Sequence, residues 1–224
     1  ILEGHFRDES YGYRPNKSAE MALSKVRSRC FNCDWVIDLD LKSFFDNIDH
    51  DKLMGLVKQY TQDKAILLYV QRFLKADGVR ECGERVKRGK GTPQGGVISP
   101  LLANLYLHVI LDEWLQDKLQ AQYVRYADDV IVNCKSERQA YYLLNCIRQR
   151  LKLYGLTLNE EKTRIVYTGK DRRKDYGRKF IFLGYTFKPR RYKDNKIVYT
   201  PALGSETLKL LRSKIAKWRL RNMS

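Results

Sequence analysis

Disulfide-building cysteine is missing from this chain. Its five cysteines, Cys30, Cys33, Cys82, Cys134 and Cys146, form an odd set without framework spacing. The two-residue gap between Cys30 and Cys33 suits a zinc or redox pair, but no second pair follows within reach, so reduced thiols are expected. Histidine is scarcer, and His5, His50 and His108 show no ligand spacing. There is no run of about 18 apolar residues and no basic-then-apolar leader, which argues against a membrane span and against secretion. A cytoplasmic setting, of bacterial or organellar type, is expected instead. Acidic residues are also few: 26 Asp and Glu face 43 Lys and Arg, a formal net charge of +17. That surplus calls for a polyanionic partner. No internal repeat or low-complexity linker interrupts the chain, and 224 residues can bury a substantial core as one domain or one domain plus a fragment.

Against this scarcity, the placement of the carboxylates is informative. Asp128 and Asp129 stand side by side between two apolar runs, Tyr123-Val124-Arg125-Tyr126 and Val130-Ile131-Val132. The pattern predicts a strand, a tight acidic turn and a second strand. Neighbouring like charges beside a sheet are costly unless a cation neutralises them, and a hard divalent ion taking oxygen ligands is the natural one. A second acidic strand lies upstream, Trp35-Val36-Ile37-Asp38-Leu39-Asp40-Leu41. Alternation puts Trp35, Ile37, Leu39 and Leu41 on one face, with Val36, Asp38 and Asp40 on the other. One carboxylate of this strand and the pair on the hairpin make a three-Asp set able to hold two metals about 3.5–4 Å apart, the arrangement that clamps both oxygens of an in-line phosphoryl displacement. Parity alone does not separate Asp38 from Asp40.

The remaining periodicities give a coarse map. Ala19, Ala22, Leu23 and Val26 recur at helical spacing, and further helices are expected near 49–60, 64–75, Ser99–Trp114 and around Leu143, Leu144, Ile147 and Leu151. Pro100 suits the first turn of the third of these. Residues 78–96 read as a hairpin and loop, and strands return at 163–168, 179–187 and 196–200. Leu208, Leu211, Ile215 and Trp218 give helical spacing again from Ser205 onward. The order implies an α+β fold with helices on one face of an antiparallel sheet. From Lys170 to Ser224 there are 17 Lys and Arg against 4 Asp and Glu, interleaved with Tyr176, Phe180, Phe182, Tyr185, Phe187 and Tyr192. Basic side chains neutralise a nucleic-acid backbone and aromatic rings stack on its bases.

Six blocks resemble, in order, the motifs of reverse transcriptases. They are Phe6-Arg7-Asp8-Glu9-Ser10-Tyr11-Gly12-Tyr13-Arg14-Pro15, Asp40-Leu41-Lys42-Ser43-Phe44-Phe45-Asp46, the stretch Gly91-Thr92-Pro93-Gln94-Gly95-Gly96 through Tyr106, Tyr126-Ala127-Asp128-Asp129, the stretch from Gly155 to Thr163, and Phe182-Leu183-Gly184-Tyr185. The long middle block is similar to the reverse transcriptase/maturase encoded by group II introns and to its bacterial relatives. The resemblance covers roughly residues 6 to 200.

It implies a right-hand polymerase palm with part of the fingers over 1–203, the fingers elements lying mainly within 1–35 and 60–100. Residues 204–224 would open a thumb or maturase-type helical segment. The match enters inside a fingers block and stops at a thumb-like helix, so a fragment of a longer protein, weak or inactive alone, is expected. The implied activity is RNA-directed DNA polymerisation in intron mobility and splicing, on an RNA template or intron RNA, with a DNA or RNA primer and deoxynucleoside triphosphates.

The family's catalytic positions fall on Asp40, Asp128 and Asp129. Asp40 is preferred to Asp38 because Phe45 and Asp46 follow it at the family's spacing; Asp38 is expected in a salt bridge. Two Mg²⁺ ions, with Mn²⁺ as a substitute, would be held by Asp40, Asp128, Asp129 and the Leu41 carbonyl. Phe45 would be the steric gate against a ribose 2′-hydroxyl. Gln94, Gly95 and the adjoining Gly96 would meet nucleotide and template, and Arg14 the triphosphate, with Arg7 and Lys17 as weaker candidates. Lys162 would stand near the leaving group as a general acid. Phe182, Leu183, Gly184 and Tyr185 would grip the primer terminus. Three other readings compete. One is an RNA-binding maturase with polymerisation secondary. Another is a related bacterial enzyme of phage defence or CRISPR adaptation, and the third a palm catalysing nucleotide cyclisation.

Overall fold

The computed structural model of the chain describes residues 2–79, 85–86, 89–93, 95–169, 178–191 and 197–217. Gln94, Tyr176, Tyr192, Trp218 and the basic stretches 170–177, 192–196 and 218–224 lie outside the described residues.

Side-chain caps set the first helices. Helix α1, Ala19–Arg29, starts where the Ser18 hydroxyl accepts the Met21 amide, and it buries Ala22, Leu23 and Val26. Strand β1, Trp35–Leu39, leads to a short helix α2, Phe44–Asn47, which periodicity did not reveal. Helix α3, His50–Tyr60, is capped by the Asp49 carboxylate on the Lys52 amide; α4, Lys64–Lys75, by Asp63 on the amides of Ala65 and Ile66. A carboxylate there also meets the positive end of the helix dipole. Strands β2, Gly78–Val79, and β3, Arg85–Val86, form a short ladder. Helix α5, Ser99–Leu107, has Pro100 in its first turn. It continues as two π-helical turns, His108–Asp112 and Trp114–Lys118, where a single helix through Trp114 was expected. This helix is enclosed on all sides: Leu102 through Leu107 are buried in its α-helical part, and His108, Ile110, Leu111 and Asp112 in its first π-helical turn.

The acidic hairpin follows as β4, Gln122–Tyr126, and β5, Asp129–Cys134. Helix α6, Glu137–Leu153, buries Ala140, Leu143, Ile147 and Leu151, and β6 spans Arg164–Tyr167. Residues 179–187 are two strands rather than one: β7, Phe180–Phe182, and β8, Tyr185–Arg191, turn on Leu183-Gly184. Strand β9, Ile197–Leu203, pairs with β8, and α7, Ser205–Lys217, has no buried residue.

The main sheet runs β4-β5-β1-β6 and every pairing is antiparallel. Alternation along β1 divides the core in two. Trp35, Ile37, Leu39 and Leu41 pack with Leu53, Val70, Leu105, Ile110 and Ile147 of the helices. On the other face Val36, Val124, Ile131 and Val166 pack against α1 and against Phe180, Phe182, Phe187 and Tyr199 of the smaller sheet β7-β8-β9. The chain is therefore α+β, with most helices on one face of an antiparallel sheet. The second face is covered too, because its alternate positions are equally apolar.

Candidate active site

Strand register brings the acidic segments to one end of the main sheet. Leu39 pairs with Val130, and Tyr126 with Asp129, so Asp40 and Asp129 lie one step further along neighbouring strands, with Asp128 in the turn between β4 and β5. By parity Asp38, Asp40 and Asp129 share the face that carries the smaller sheet. Beyond β1, the chain is tied to the 155–163 block: the Asn159 amide donates to the Asp40 carbonyl at 2.8 Å, and the Lys42 amide to the Thr157 carbonyl at 3.0 Å. Carbonyls alternate along extended backbone, so the Leu41 carbonyl faces away from this bridge.

Charge crowding marks the cluster. The tip of Asp129 meets solvent, yet the surrounding protein, and then the charges of Asp128 and Asp40, push its pKa up to about 6 while Lys162 opposes them. Asp38 is pushed up to about 7, by burial first and then by Asp129 and Asp40. The charge of Arg164, opposite Asp38 in the β1–β6 register, works against that rise. Asp38 also accepts the backbone amide of Ile181 on β7, a link to the β7–β8 hairpin that the sequence did not disclose. Lys162 Nζ lies 3.3 Å from the Asp40 carboxylate, both partly exposed, so the pair itself adds little stability.

The structure brings Phe45 and Gly95 into one cavity of about 440 Å³, with Tyr13, Pro93, Gly96 and Ser99 among its walls. Helix α2 is fastened to the loop behind it, since the Thr92 amide donates to the Phe45 carbonyl at 2.8 Å and the Gly91 amide to the Ile48 carbonyl at 2.7 Å. Gly91 has φ +83°, and a Cβ there would sit 2.8 Å from the Phe45 carbonyl oxygen, so only glycine lets the loop approach so closely. In the β7–β8 hairpin Phe182 is buried, and the Gly184 carbonyl accepts the Gly204 amide at 2.9 Å and the Thr207 hydroxyl at 3.1 Å.

Arg14 is placed differently from its expected task. Its side chain is 4% exposed and its fork is occupied by Glu3 at 2.8 Å and by the carbonyls of Arg7 and Ser10 at 2.6 and 2.7 Å. That geometry ties residues 3–14 into one loop and leaves little of the guanidinium for a triphosphate. Arg7 likewise pairs with Asp117 at 2.6 Å, and Lys17 with Asp8 at 3.3 Å. The described cysteines are all free, and burial pushes the Cys30 and Cys134 thiols up to about 12, as inert core thiols.

Three carboxylates and a backbone carbonyl form a hard oxygen donor set of the kind Mg²⁺ takes. Among the described residues no three His, Cys, Asp or Glu side chains form a ready-made cage. Burial does most to raise Asp129, and the added repulsion from Asp128 and Asp40 is what such a cation would relieve. Among the described residues no helix is long and apolar enough to cross a membrane.

Comparison with known proteins agrees with this geometry. Residues 1–187 match the family described as reverse transcriptase (RNA-dependent DNA polymerase). Group II intron-encoded protein LtrA of Lactococcus lactis subsp. cremoris is 29% identical, over 85% of this chain and 41% of its own length. Protein YkfC of Escherichia coli is 30% identical, over 89% of this chain and 61% of its own length. The chain thus spans less than two thirds of either relative. Among solved structures, apo telomerase from Candida tropicalis superposes with a TM-score of 0.63 at 15% identity, covering 83% of this chain and 36% of that one, a likeness of fold.

Proposed function

Because the chain belongs to the reverse transcriptase family, we propose that it polymerises DNA on an RNA template, as the palm and part of the fingers of a group II intron-type enzyme. The single observation that carries this is the meeting of Asp40, Asp128 and Asp129 at one end of the main sheet. In this reading residues 1–203 are palm and partial fingers, and 204–224 open a thumb or maturase segment. The setting is intron mobility and splicing, in a bacterial cytoplasm or an organelle.

Members of this family use divalent metal ions. Asp40, Asp128, Asp129 and the Leu41 carbonyl would hold two Mg²⁺, which when bound lower the pKa of the primer 3′-hydroxyl and stabilise the pyrophosphate. The protein's own side chains do the rest. Phe45 closes the space beneath the sugar, so a 2′-hydroxyl collides with its ring. Gly95, with Gln94, lets backbone approach the incoming nucleotide and template. Lys162, now 3.3 Å from Asp40, carries a proton within reach of a departing phosphate oxygen. Residues 182–185 present a rigid turn to the primer end.

Extension of a DNA or RNA primer on an RNA template, with deoxynucleoside triphosphates and Mg²⁺, tests the reading in the full natural protein. Asp128→Asn should lower extension by at least about 10³-fold without loss of RNA binding, because a positioned charge in phosphoryl transfer is worth that much. Phe45→Val should raise ribonucleotide incorporation about tenfold or more while sparing deoxynucleotide addition. Robust extension by Asp128→Asn would end the proposal. The +17 charge also suits a maturase that only binds intron RNA, and salt-sensitive RNA binding without any extension would favour it.

A further inference from the structure

Directly behind the acidic turn lies an ion pair to which the proposed chemistry gives no task. Arg125 of β4 and Asp112 of the first π-helical turn are both fully buried. Arg125 Nε donates to Asp112 Oδ1 at 2.8 Å and Nη2 donates to Oδ2 at 2.5 Å. The remaining arm, Nη1, donates to Asn104 Oδ1 at 2.8 Å and to the Ala127 carbonyl at 2.9 Å. Asn104 in turn donates through Nδ2 to the Gly12 carbonyl at 2.7 Å. Gly12 lies flat on the turn: a Cβ there would meet the Ala127 amide nitrogen at 2.3 Å and the Tyr126 carbonyl carbon at 3.0 Å. The segment before it runs beside β4, the Tyr11 amide donating to the Arg125 carbonyl at 2.8 Å and the Arg125 amide to the Glu9 carbonyl at 2.9 Å.

These contacts converge on one residue. Ala127 has φ +55°, a left-handed conformation that costs a non-glycine residue roughly 1 kcal/mol or more. Two peptide planes flank its Cα. The Tyr126–Ala127 plane is packed under Gly12, and the Ala127–Asp128 plane is held by its carbonyl on Arg125. Fixing both planes fixes φ and ψ of Ala127, and the second plane carries Asp128. Stability alone is a poor reason for such a network, because apolar replacements of a buried ion pair are often neutral or stabilising.

We propose that Arg125, Asp112, Asn104 and Gly12 form a positioning clamp that holds Ala127 left-handed and so aims the Asp128 carboxylate. Its consequence for catalysis rests on the polymerase reading; the clamp itself does not. The clamp also joins three segments distant in sequence, so the turn takes its catalytic shape only once the 9–12 segment and α5 have docked on β4.

The decisive variant, in the full natural protein, is the double replacement Asp112→Leu with Arg125→Met, which removes the clamp without stranding a charge. Hydrogen–deuterium exchange of a peptide spanning 126–129 should speed up at least about tenfold, with the rest of the sheet unchanged. Primer extension should lose about 100-fold in kcat while KM for nucleotide and affinity for RNA stay within threefold, since about 1 Å of misplacement is worth that much. Should the double variant not fold, Asn104→Ala decides on the same readouts, with smaller changes of the same sign. Unchanged exchange at the turn in a folded variant overturns the clamp whether or not the protein polymerises. Faster exchange with unchanged kcat overturns its catalytic consequence. A wild-type protein without extension activity sinks the polymerase reading and leaves the exchange arm to judge the clamp.

Discussion

Two hairpins of the same length end the two sheets, and they are held in opposite ways. Between β4 and β5, the loop Ala127-Asp128 has positive φ at its first residue alone, the signature of a type II′ turn, in which that position favours glycine. Between β7 and β8, both loop residues have positive φ, Leu183 at 51° and Gly184 at 76°, the signature of type I′. The second turn places its glycine at the second position, where the turn type wants it, carries Leu183 at positive φ in the first, and is bonded through the Gly184 carbonyl to Gly204 and Thr207. The acidic turn puts alanine where glycine is favoured and is held in shape by side chains from two other segments. One turn has its glycine in place and is bonded at its tip to the start of α7; the other has no glycine and is held by buried side chains behind it. A site whose geometry depends on tertiary packing forms only in the completed fold.

Gly12→Ala is the largest test of that difference. Its Cβ would sit 2.3 Å from the backbone nitrogen of Ala127, and backbone on both sides has no flexible end to yield. A cost of about 3 kcal/mol or more is expected from such overpacking, together with loss of primer extension. Gly184→Ala meets only the Thr207 hydroxyl, at 3.1 Å, and bears a left-handed strain of about 1–2 kcal/mol. Chemical denaturation of the two variants measures both. If Gly184→Ala proves the more damaging, the acidic turn is not the one built by its surroundings.

The same contrast explains what could be read in advance. Helices α3 and α4 carry their own Asp caps, so their bounds follow from local chemistry. Strand parity put Asp40 on the face opposite Trp35, Ile37 and Leu39, whereas 179–187 read as one strand and hid the turn at Gly184. Nothing local distinguishes Arg125 from a surface arginine, or Asp112 from an exposed helical carboxylate. Their burial follows from the enclosure of the whole 99–112 helix, which leaves no polar face for periodicity to reveal. Arg14 errs in the other direction, because a motif position says nothing of the Glu3 carboxylate that occupies its fork. Asp38 was read as a salt bridge to the exclusion of its contact with Ile181, since β7 is distant in sequence.

Asp38 connects the two regions, facing Asp129 on one side and accepting the Ile181 amide on the other, and its titration makes a second test. Its folded pKa, about 7, lies above the ordinary 3.8, so the folded chain binds this proton more tightly than the unfolded one. Stability from this group is therefore lost as pH rises from about 4 through about 7. Asp38→Asn should remove that loss while keeping the shape. In metal-free buffer the variant should melt about 2–4 °C above the native protein at pH 8 and level with it near pH 4, for a gain of about 1 kcal/mol. A native protein whose melting point does not fall between pH 5 and 8 relative to Asp38→Asn would place the carboxylate in open solvent.

The smallest effects sharpen the comparison most, because they act on the turns themselves. Asparagine tolerates the left-handed region better than leucine, so Leu183→Asn supplies the Asn-Gly pair that a type I′ turn prefers. A gain of about 0.5 kcal/mol, or roughly 1–2 °C in melting point, is expected there. Ala127→Gly relieves a φ of +55° in the acidic turn, yet glycine also enlarges the entropy of the unfolded chain by a comparable amount, about 0.4–1 kcal/mol. The two terms oppose each other, so its melting point should stay within about 1 °C of the native value. The distinction appears when each is combined with Asn104→Ala, which loosens the clamp. Leu183→Asn should add its gain independently, as distant sites do, whereas Ala127→Gly should recover part of what Asn104→Ala loses in kcat, because the relaxed turn no longer has to be forced. Simple additivity at both turns would mean that Ala127 is not under the control of Asn104.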